Sequence, residues 1–512
     1  MTQFKQELER KYIWPTVEDS SWLYELTNAV QTASLTERRV QDLDAVYYDT
    51  SDLRLARTGA SLGRRTGGSD AGWHVKLPLP DGSREEVRVP LTSREIPDKL
   101  QQLLLSRTRG AALRPVIRIR SRRSMRHLLD AKGAVLAELS LDVVDAKALV
   151  QEGGQASWTE LEVELAEGGS PALLDDIEKV LRKNGLARAP SPSKVVRALM
   201  ETTSVWDRLP DSHAAVDPGS AGEQVLIYAE RLVDALVDLH PAVCRDLTDS
   251  VHQMRTTARR LRGCLASYRS VFDREVTEPI RRDLRWLAGE LGAERDHEVL
   301  EDRLASGVRK LPRELVLGPV TARLQVWDTA RRAEGRQRTL RTLASPRYVA
   351  LLGELRALID TPPLRAKAAA KPRKVMVKAL GKEYDRLLQR MERVLGMSSG
   401  PERDVAVHDA RKAAKRLRYA AEAADATLKK PARRLGKRAR ALQQVSGAHH
   451  DSVVARGVLR RLGIAAHAAG QPSFTWGVLF GREMAAADAE EGLLPASWDR
   501  VRAAAQQKAL RR

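Results

Sequence analysis

The sequence predicts an α+β, multidomain protein: an N-terminal domain of about eight antiparallel strands with flanking helices, then an all-α C-terminal domain. Three observations carry this. Residues 1–205 alternate apolar and polar side chains in short runs broken by Gly, Asp, Pro and Ser turns. "DRLPDSHAAVDPGSAGEQ", residues 207–224, is rich in turn residues and has no apolar periodicity, as in a linker. Beyond it, apolar residues recur every three and four positions, as in "QVLIYAERLVDALVDL" and "KVMVKALGKEYDRLLQRMERVL", which is the period of amphipathic helices. The predicted domains are 1–205 and 222–512, with a linker at 206–221.

In order, the strand patterns are "FKQELERKYI", "AVYYDT", "SLGRRT", "WHVKLPL", "REEVRVP", "PVIRIRSR", "AVLAELSLDVV" and "WTELEVELA". Short helices are expected at Ser20–Val30, Ser170–Asn184 and Ser193–Thr202, with Ser193 as the N-cap of the last. In the helical part a motif is written twice. "HQMRTTARRLRG" (252–263) matches "HDARKAAKRLRY" (408–419), and "GAERD" (292–296) matches "GAHHD" (447–451). Two matches in the same order imply a duplicated helical unit, about 222–364 and 374–512, and hence two similar bundles. "RAKAAAKPRK", residues 365–374, is the basic connector between them.

The net charge is +20, which points to a polyanionic partner or an anionic surface. It is unevenly placed. Residues 1–205 hold 30 Lys+Arg and 29 Asp+Glu, whereas 206–512 hold 57 and 38. The two cysteines, Cys244 and Cys264, form no disulfide framework and suit a reducing cytosol. The start, "MTQFKQELERKYIWP", has no apolar run of signal-peptide type, and no stretch is long and apolar enough to span a membrane.

In "ELERK", a strand points Glu7, Glu9 and Lys11 one way and Leu8, Arg10 and Tyr12 the other. By the same alternation Arg118, Arg120 and Arg122 share a face, as do Glu160, Glu162 and Glu164, and Glu138, Ser140 and Asp142. One such strand reads as a solvated sheet face. Several with one charged and one apolar face are what a closed barrel with a polar interior needs. Glutamates would hold a hard cation through oxygen, and arginines and lysines would hold phosphate oxygens.

These residues resemble the CYTH domain, the triphosphate tunnel metalloenzymes. "ELERK" matches that family's ExExK signature, and "YYDTSDLRL", "WHVKLP", "RIRSR", "ELEVEL" and "SPSK" follow in the family's order over residues 3–203. The resemblance implies an eight-stranded antiparallel tunnel that binds triphosphate substrates with Mg²⁺ or Mn²⁺. By position, Glu7, Glu9, Glu162 and Glu164 correspond to metal ligands. Arg65, Lys76, Arg118, Arg120 and Lys194 correspond to phosphate contacts. Glu7, Glu9 and Lys11 carry the catalytic signature, Lys11 either as a phosphate ligand or in proton transfer. Glu160, Glu138 and Asp142 follow as further metal or water-positioning candidates. One position departs from the pattern: where the family's third strand reads Leu-Arg-x-Arg, this chain has Leu62-Gly63-Arg64-Arg65. Gly63 removes one phosphate clamp, and Arg64 faces the other side unless a bulge re-aims it.

In the helical part, His252, Arg255, Arg259 and Arg262 step by three and four along one stripe, and so do His408, Arg411, Lys415 and Arg418, joined by Lys412 and Tyr419. One basic stripe is ordinarily a solvated face; here it recurs together with its histidine. These motifs, with "ERDHEVL" and "HHDSVVA", resemble the CHAD domain over about 222–505. That resemblance implies two pseudo-symmetric four-helix bundles and a basic groove for inorganic polyphosphate. The histidines would either donate to phosphate or pack as neutral rings. Adjacent His449 and His450 diverge by about 100° on a helix, which disfavours a metal held by both. Asp296 and Asp451 are expected to pair with the basic helices.

No GxxxxGK[ST] loop, zinc spacing or GxSxG motif is present. Aromatic content of 4% argues against base stacking on nucleic acid. The resulting expectation is a cytoplasmic, metal-dependent hydrolase of tripolyphosphate, polyphosphate or a nucleoside triphosphate, with a location at polyphosphate granules as a corollary. The alternative is a non-catalytic polyphosphate-binding protein with a weakened tunnel. Adenylate cyclase is a third class, for which no residue selects adenine, and nucleic-acid binding through the helical part is a further rival, since phosphate stripes do not distinguish backbones.

Overall fold

A computed structural model of the chain describes residues 3–510 apart from 15–24, 28–33, 37–38, 69, 80, 92–93, 152, 192, 207–215 and 508–509. The chain divides into two compact units, Met1–Pro210 and Asp211–Arg512. Most of the expected linker lies outside the described residues, as does the helix expected at Ser20–Val30 except for Glu25–Thr27, which are helical.

The first unit is a curled, antiparallel sheet. Its strands are β1 (Gln3–Glu7), β2 (Glu9–Ile13), β3 (Ser34–Leu35), β4 (Arg39–Asp49), β5 (Ser61–Thr66), β6 (Gly72–Pro78), β7 (Arg84–Val89), β8 (Arg114–Leu129), β9 (Val135–Ala148), β10 (Gln155–Leu165) and β11 (Ala187–Arg188). They pair in the order β1-β7-β6-β5-β4-β8-β9-β10-β2-β11, with β3 on β8. The expected first strand, "FKQELERKYI", is therefore two strands separated only by Leu8, β1 pairing with β7 and β2 with β10. The Leu165 amide bonds the Leu8 carbonyl at 3.0 Å. The two long arms of the sheet thus meet on one continuous segment.

Alternation decides what each face does. Leu161, Val163 and Leu165 of β10 and Leu139 of β9 pack with Leu174, Ile177 and Leu181 of the helix Pro171–Lys183. The face carrying Asp142 and Glu160 is covered at one end by the helix Lys194–Thr202. There Val195, Ala198 and Leu199 pack on Ile117, Ile119, Val144, Ala146 and Trp158. Ser193 stands at the N-cap of that helix, but its side chain makes no capping bond.

The second unit is all-helical. The two basic repeats lie on the helices Ser250–Ser267 and Pro401–Ala423. "GAERD" opens Gly292–Arg309, and "GAHHD" lies inside the 39-residue helix Lys430–Ala468. The main hydrophobic core draws on both repeats, from Leu226, Met254 and Leu284 to Leu380, Leu417 and Leu442. A satellite core joins Leu304 and Leu324 to Val458, Leu459 and Trp476. The two basic helices touch directly: the Tyr268 hydroxyl donates to the Ala420 carbonyl at 2.7 Å, and the Tyr419 ring lies against Gly263. The connector 365–374 is a short 3-10 turn, Ala366–Ala369, followed by a helix from Pro372.

Candidate functional site

The first unit holds a cavity of ≈ 360 Å³ lined by Lys5, Lys11, Arg65, Lys76, Arg84, Arg88, Arg123 and Lys194 among acidic side chains that include Glu7, Glu9, Glu86, Glu138, Glu162 and Glu164. The strand register puts these groups in rows. Glu9, Glu164 and Glu138 stand directly opposite one another on β2, β10 and β9. The next inward row is Lys11, Glu162 and Ser140. Like charges directly opposite on a sheet repel; here the neighbouring cations relieve them. Lys11 bonds Glu162 and lies 3.2 Å from Glu9, and Lys5 bonds Glu164. Lys194 reaches Asp142 at 2.5 Å and Glu162 at 2.7 Å. Lys76 bonds Glu7 at 2.6 Å, and Arg88 bonds Glu86.

Charge is shared unevenly. Burial works against the Glu9 carboxylate, yet Lys11, Lys76, Arg84 and Lys194 outweigh it and hold Glu9 well below the usual carboxylate range. Burial, with Glu86 and Glu164 nearby, pushes Glu7 up to about 7 in spite of Lys76. Burial lowers Lys11 to about 8, helped by Lys194 and Lys76 and opposed by Glu9. Lys76 is also buried, but Glu9, Glu7 and Glu86 raise it.

Glu7, Glu9, Lys11, Arg65, Lys76, Glu162, Glu164 and Lys194 are thus brought together. Arg118 and Arg120 are not. Their side chains are 42% and 63% exposed and pair with Asp44 on the opposite face of β8. The reason is parity. On β8 the inward residue opposite Asp142 is Arg123, so Ile117 and Ile119 share its face and Arg118 and Arg120 do not. The inward face looks apolar at that end because the helix Lys194–Thr202 covers it. Arg123, Arg84 and Arg88 were missed by the sequence reading. For Arg84, Glu86 and Arg88 the signal is the alternation in "REEVRV"; for Arg123 it is the second arginine of "SRRS". Gly63 sits in an unbroken register between Tyr47 and His74, so no bulge re-aims Arg64, which is paired with Trp73.

The second unit holds a cavity of ≈ 560 Å³ lined by His252, Arg255, Arg259, Arg262, His408, Arg411, Lys412 and Lys415, joined by Arg285, Arg303 and His450. Of the expected stripe, Arg418 is not brought in: it pairs with Glu422 at 3.4 Å and stacks over Tyr419. The repeated glycines have a steric reason. A Cβ at Gly292 would lie 3.2 Å from the Arg255 guanidinium, and one at Gly447 would lie 3.3 Å from that of Arg411. Each arginine therefore lies flat on the helix that carries the second motif. Arg255 is held by Asp296 at 2.6 and 3.1 Å, and Arg411 by Asp451 at 3.9 Å.

Other basic side chains in the cavity have no acidic partner. Arg259, Arg262 and Lys415 make no ion pair among the described residues, and burial together with neighbouring cations pushes all three down. His408 packs against His450 with ring centroids 4.1 Å apart and the planes tilted by 32°, and burial, His450, Lys412 and Arg411 push it down to about 4. His449 points elsewhere. Its Nε2 is 3.2 Å from Asp404 and 3.0 Å from Glu491, the one trio among the described residues spaced to hold a metal ion. Arg456 and Arg403 already neutralise those two carboxylates, and His449 Nδ1 is buried without the partner that a metal-bound imidazole normally has. The trio is a polar staple between three helices, its carboxylates held by Arg456 and Arg403.

A family model described as CYTH domain matches residues 5–199, and one described as CHAD domain matches residues 227–460. Two uncharacterized proteins from two strains of Mycobacterium tuberculosis are each 35% identical over 494 residues, covering 93% of this chain and 92% of theirs. Among solved structures, PptA from Streptomyces chartreusis is 20% identical with a TM-score of 0.47, covering 55% of this chain and 99% of its own. The CHAD domain from the plant Ricinus communis is 26% identical with a TM-score of 0.43, covering 59% and 98%. A candidate adenylyl cyclase from Hippeastrum, with a dominant triphosphatase activity, is 17% identical with a TM-score of 0.24, covering 38% and 97%.

Proposed function

This chain belongs to the CYTH and CHAD families, a CYTH domain at residues 5–199 followed by a CHAD domain at 227–460, and from that premise we propose a metal-dependent hydrolase of tripolyphosphate or polyphosphate whose helical unit holds the polyanion. The observation that carries it is the first cavity, where eight cationic side chains converge beside the opposed carboxylates Glu9, Glu164 and Glu138.

The donor set fits a hard divalent cation in kind, because every acidic ligand offers oxygen and three stand in one row; their oxygens are not gathered around one point, being drawn to Lys11, Lys5 and Arg123. Glu9, Glu164 and Glu138 would hold Mg²⁺ or Mn²⁺, with Glu7 and Glu162 adjacent. Such an ion supplies neutralisation of phosphate charge and polarisation of a phosphoryl oxygen. The chain's own groups do the rest. Lys11, Lys76, Arg123 and Lys194 exchange carboxylate partners for phosphate oxygens, which releases the glutamates. Arg84 and Arg88 face the same space from β7. Lys11 serves as a phosphate ligand through Nζ.

In the helical unit, Arg259, Arg262 and Lys415 call for an anion from outside. A linear polyanion with about one charge per phosphate suits a row of such groups, and its binding weakens with salt. Among the described residues no Phe, Tyr or Trp lines that cavity, which argues against a stacking platform for bases.

The test is phosphate release by the full-length chain from tripolyphosphate and long polyphosphate, with and without Mg²⁺ or Mn²⁺. Wild type is expected to release phosphate and Glu9→Ala to lose it. A second reading, binding without catalysis, is favoured by one observation: Gly63 offers no cation, and Tyr47 fills its space. Polyphosphate binding with no release by wild type selects that reading. Absence of both release and binding eliminates both.

A further inference from the structure

Gly63 is not required by its backbone. It lies inside β5 and is not among the glycines with positive φ, and glycine within a strand weakens it. Its reason is steric. Tyr47 stands directly opposite on β4, and a Cβ at residue 63 would lie 2.9 Å from the Tyr47 ring. The glycine is a seat for that ring.

The ring changes one end of the cavity. Tyr47, Gly63, Arg65, His74 and Lys76 enclose a recess of only ≈ 20 Å³, room for about one water. Both nitrogens of His74 are committed, Nδ1 to Glu86 at 2.9 Å and Nε2 to the Asp70 carbonyl at 2.8 Å. Arg65 bonds Asp70. Burial works against the Arg65 charge, and the Tyr47 oxygen and Asp70 lie within electrostatic reach of it. The Tyr47 hydroxyl makes no hydrogen bond among the described residues and remains an unspent donor. Lys76 pairs with Ser61, and the next inward pair is Gly63 with His74, about 7 Å further along the strands.

We propose that Tyr47, seated on Gly63, is a specificity-determining residue of this cavity: beside Arg65 its hydroxyl meets the far phosphate of a three-phosphate chain with a neutral donor in place of a second cation. The proposal rests on the triphosphate reading of the cavity. On this proposal a pyrophosphate seated at the Lys11 and Lys194 end of the cavity stops short of Tyr47, and a tripolyphosphate extends past Lys76 to it. Tyr47 therefore sets how strongly the chain distinguishes the two.

The experiment is titration calorimetry of the full-length protein in metal-free buffer with tripolyphosphate and with pyrophosphate, for wild type, Tyr47→Phe, Tyr47→Ala and the double variant Tyr47→Ala/Gly63→Arg. Tyr47→Phe keeps the ring and removes one donor to a charged acceptor, so tripolyphosphate should weaken roughly tenfold or more while pyrophosphate stays within about twofold. The double variant, which has room for the guanidinium, should bind tripolyphosphate more tightly than Tyr47→Ala. Equal losses for both ligands, or none for either, would overturn the proposal. Wild type that binds neither ligand, in metal-free buffer or with Mg²⁺ present, instead removes the triphosphate reading. Thermal unfolding of Tyr47→Phe checks the fold, and that variant alone decides if the double one does not fold.

Discussion

Arg123 and Asp142 stand opposite each other on β8 and β9, joined by two hydrogen bonds of 2.9 and 2.8 Å. Arg123 also reaches Glu162 at 2.5 Å, and Lys194 closes the other side of Asp142 at 2.5 Å. Asp142 is fully buried. This cluster links the cavity to the helix that covers the sheet, and its charges depend on one another.

Removing Arg123 should be costly in two ways. Arg123→Ala leaves Asp142 buried with Lys194 as its remaining partner, a loss of about 3 kcal/mol for breaking a buried pair. It should also weaken tripolyphosphate binding roughly tenfold or more, the value of a charge-assisted contact. Arg120→Ala, on the outer face, should change both by little. Thermal unfolding and calorimetry of the two variants measure the contrast; equal effects would contradict the placement of the two arginines.

Asp142 also gives the first unit an acid limit. Burial disfavours its charge, but Lys194 and Arg123 prevail and hold its carboxyl well below the usual range. A carboxyl depressed in the fold contributes stability that is present above its unfolded value, about 4, and is lost as pH falls and the unfolded chain binds the extra proton. Stability should therefore fall between about pH 5 and pH 2, and less steeply in Asp142→Asn. Urea unfolding at several pH values reads this directly. An unchanged slope in the variant would show that the pair carries no such linkage.

The strand-rich and helical halves were legible in the sequence because alternation and three-four spacing are local signals. "SLGRRT" is β5 from Ser61 to Thr66, and Glu7, Glu9 and Lys11 share one inward face as their spacing requires. What the sequence did not disclose was set by distant parts of the chain. The family's order and the polar alternation of "RIRSR" both assign Arg118 and Arg120 to the cavity. The helix Lys194–Thr202 makes the inward face apolar at that end, and no local pattern announces it. The division of "FKQELERKYI" at Leu8 likewise depends on β7 and β10 taking different halves of it. In the helical part the repeated glycines were visible, but their role as seats for Arg255 and Arg411 appears only when helices 40 residues apart in each repeat come together.

In the helical cavity the unpaired cations should dominate polyphosphate affinity. Arg259→Ala with Arg262→Ala removes two phosphate contacts and should lower the slope of log affinity against log salt by roughly 0.7 for each. Arg418→Ala, outside the cavity and paired with Glu422, should leave the slope unchanged. Titrations of the full-length protein at three salt concentrations test both. A slope that ignores Arg259 and Arg262 would place the polyanion elsewhere.

Lys415 makes that binding depend on pH. Burial first, then Arg259, Arg411, Arg255 and Arg418, pushes its ammonium down to about 6, so at neutral pH it is largely uncharged. A polyphosphate favours the charged form and raises that value, and the complex takes up a proton as it forms. The sign follows: affinity rises as pH falls from 8 toward 6, by up to about tenfold per unit for one proton, and levels off once Lys415 is charged without the ligand. His408, pushed down to about 4, adds a further rise only at lower pH. Lys415→Arg keeps the charge at every pH, so it should bind more tightly at pH 8 and show little slope between 8 and 6. Calorimetry in two buffers of different ionisation enthalpy measures the proton directly: wild type should take up close to one at pH 7 and the arginine variant close to none, whereas equal uptake by both would assign the proton to another group.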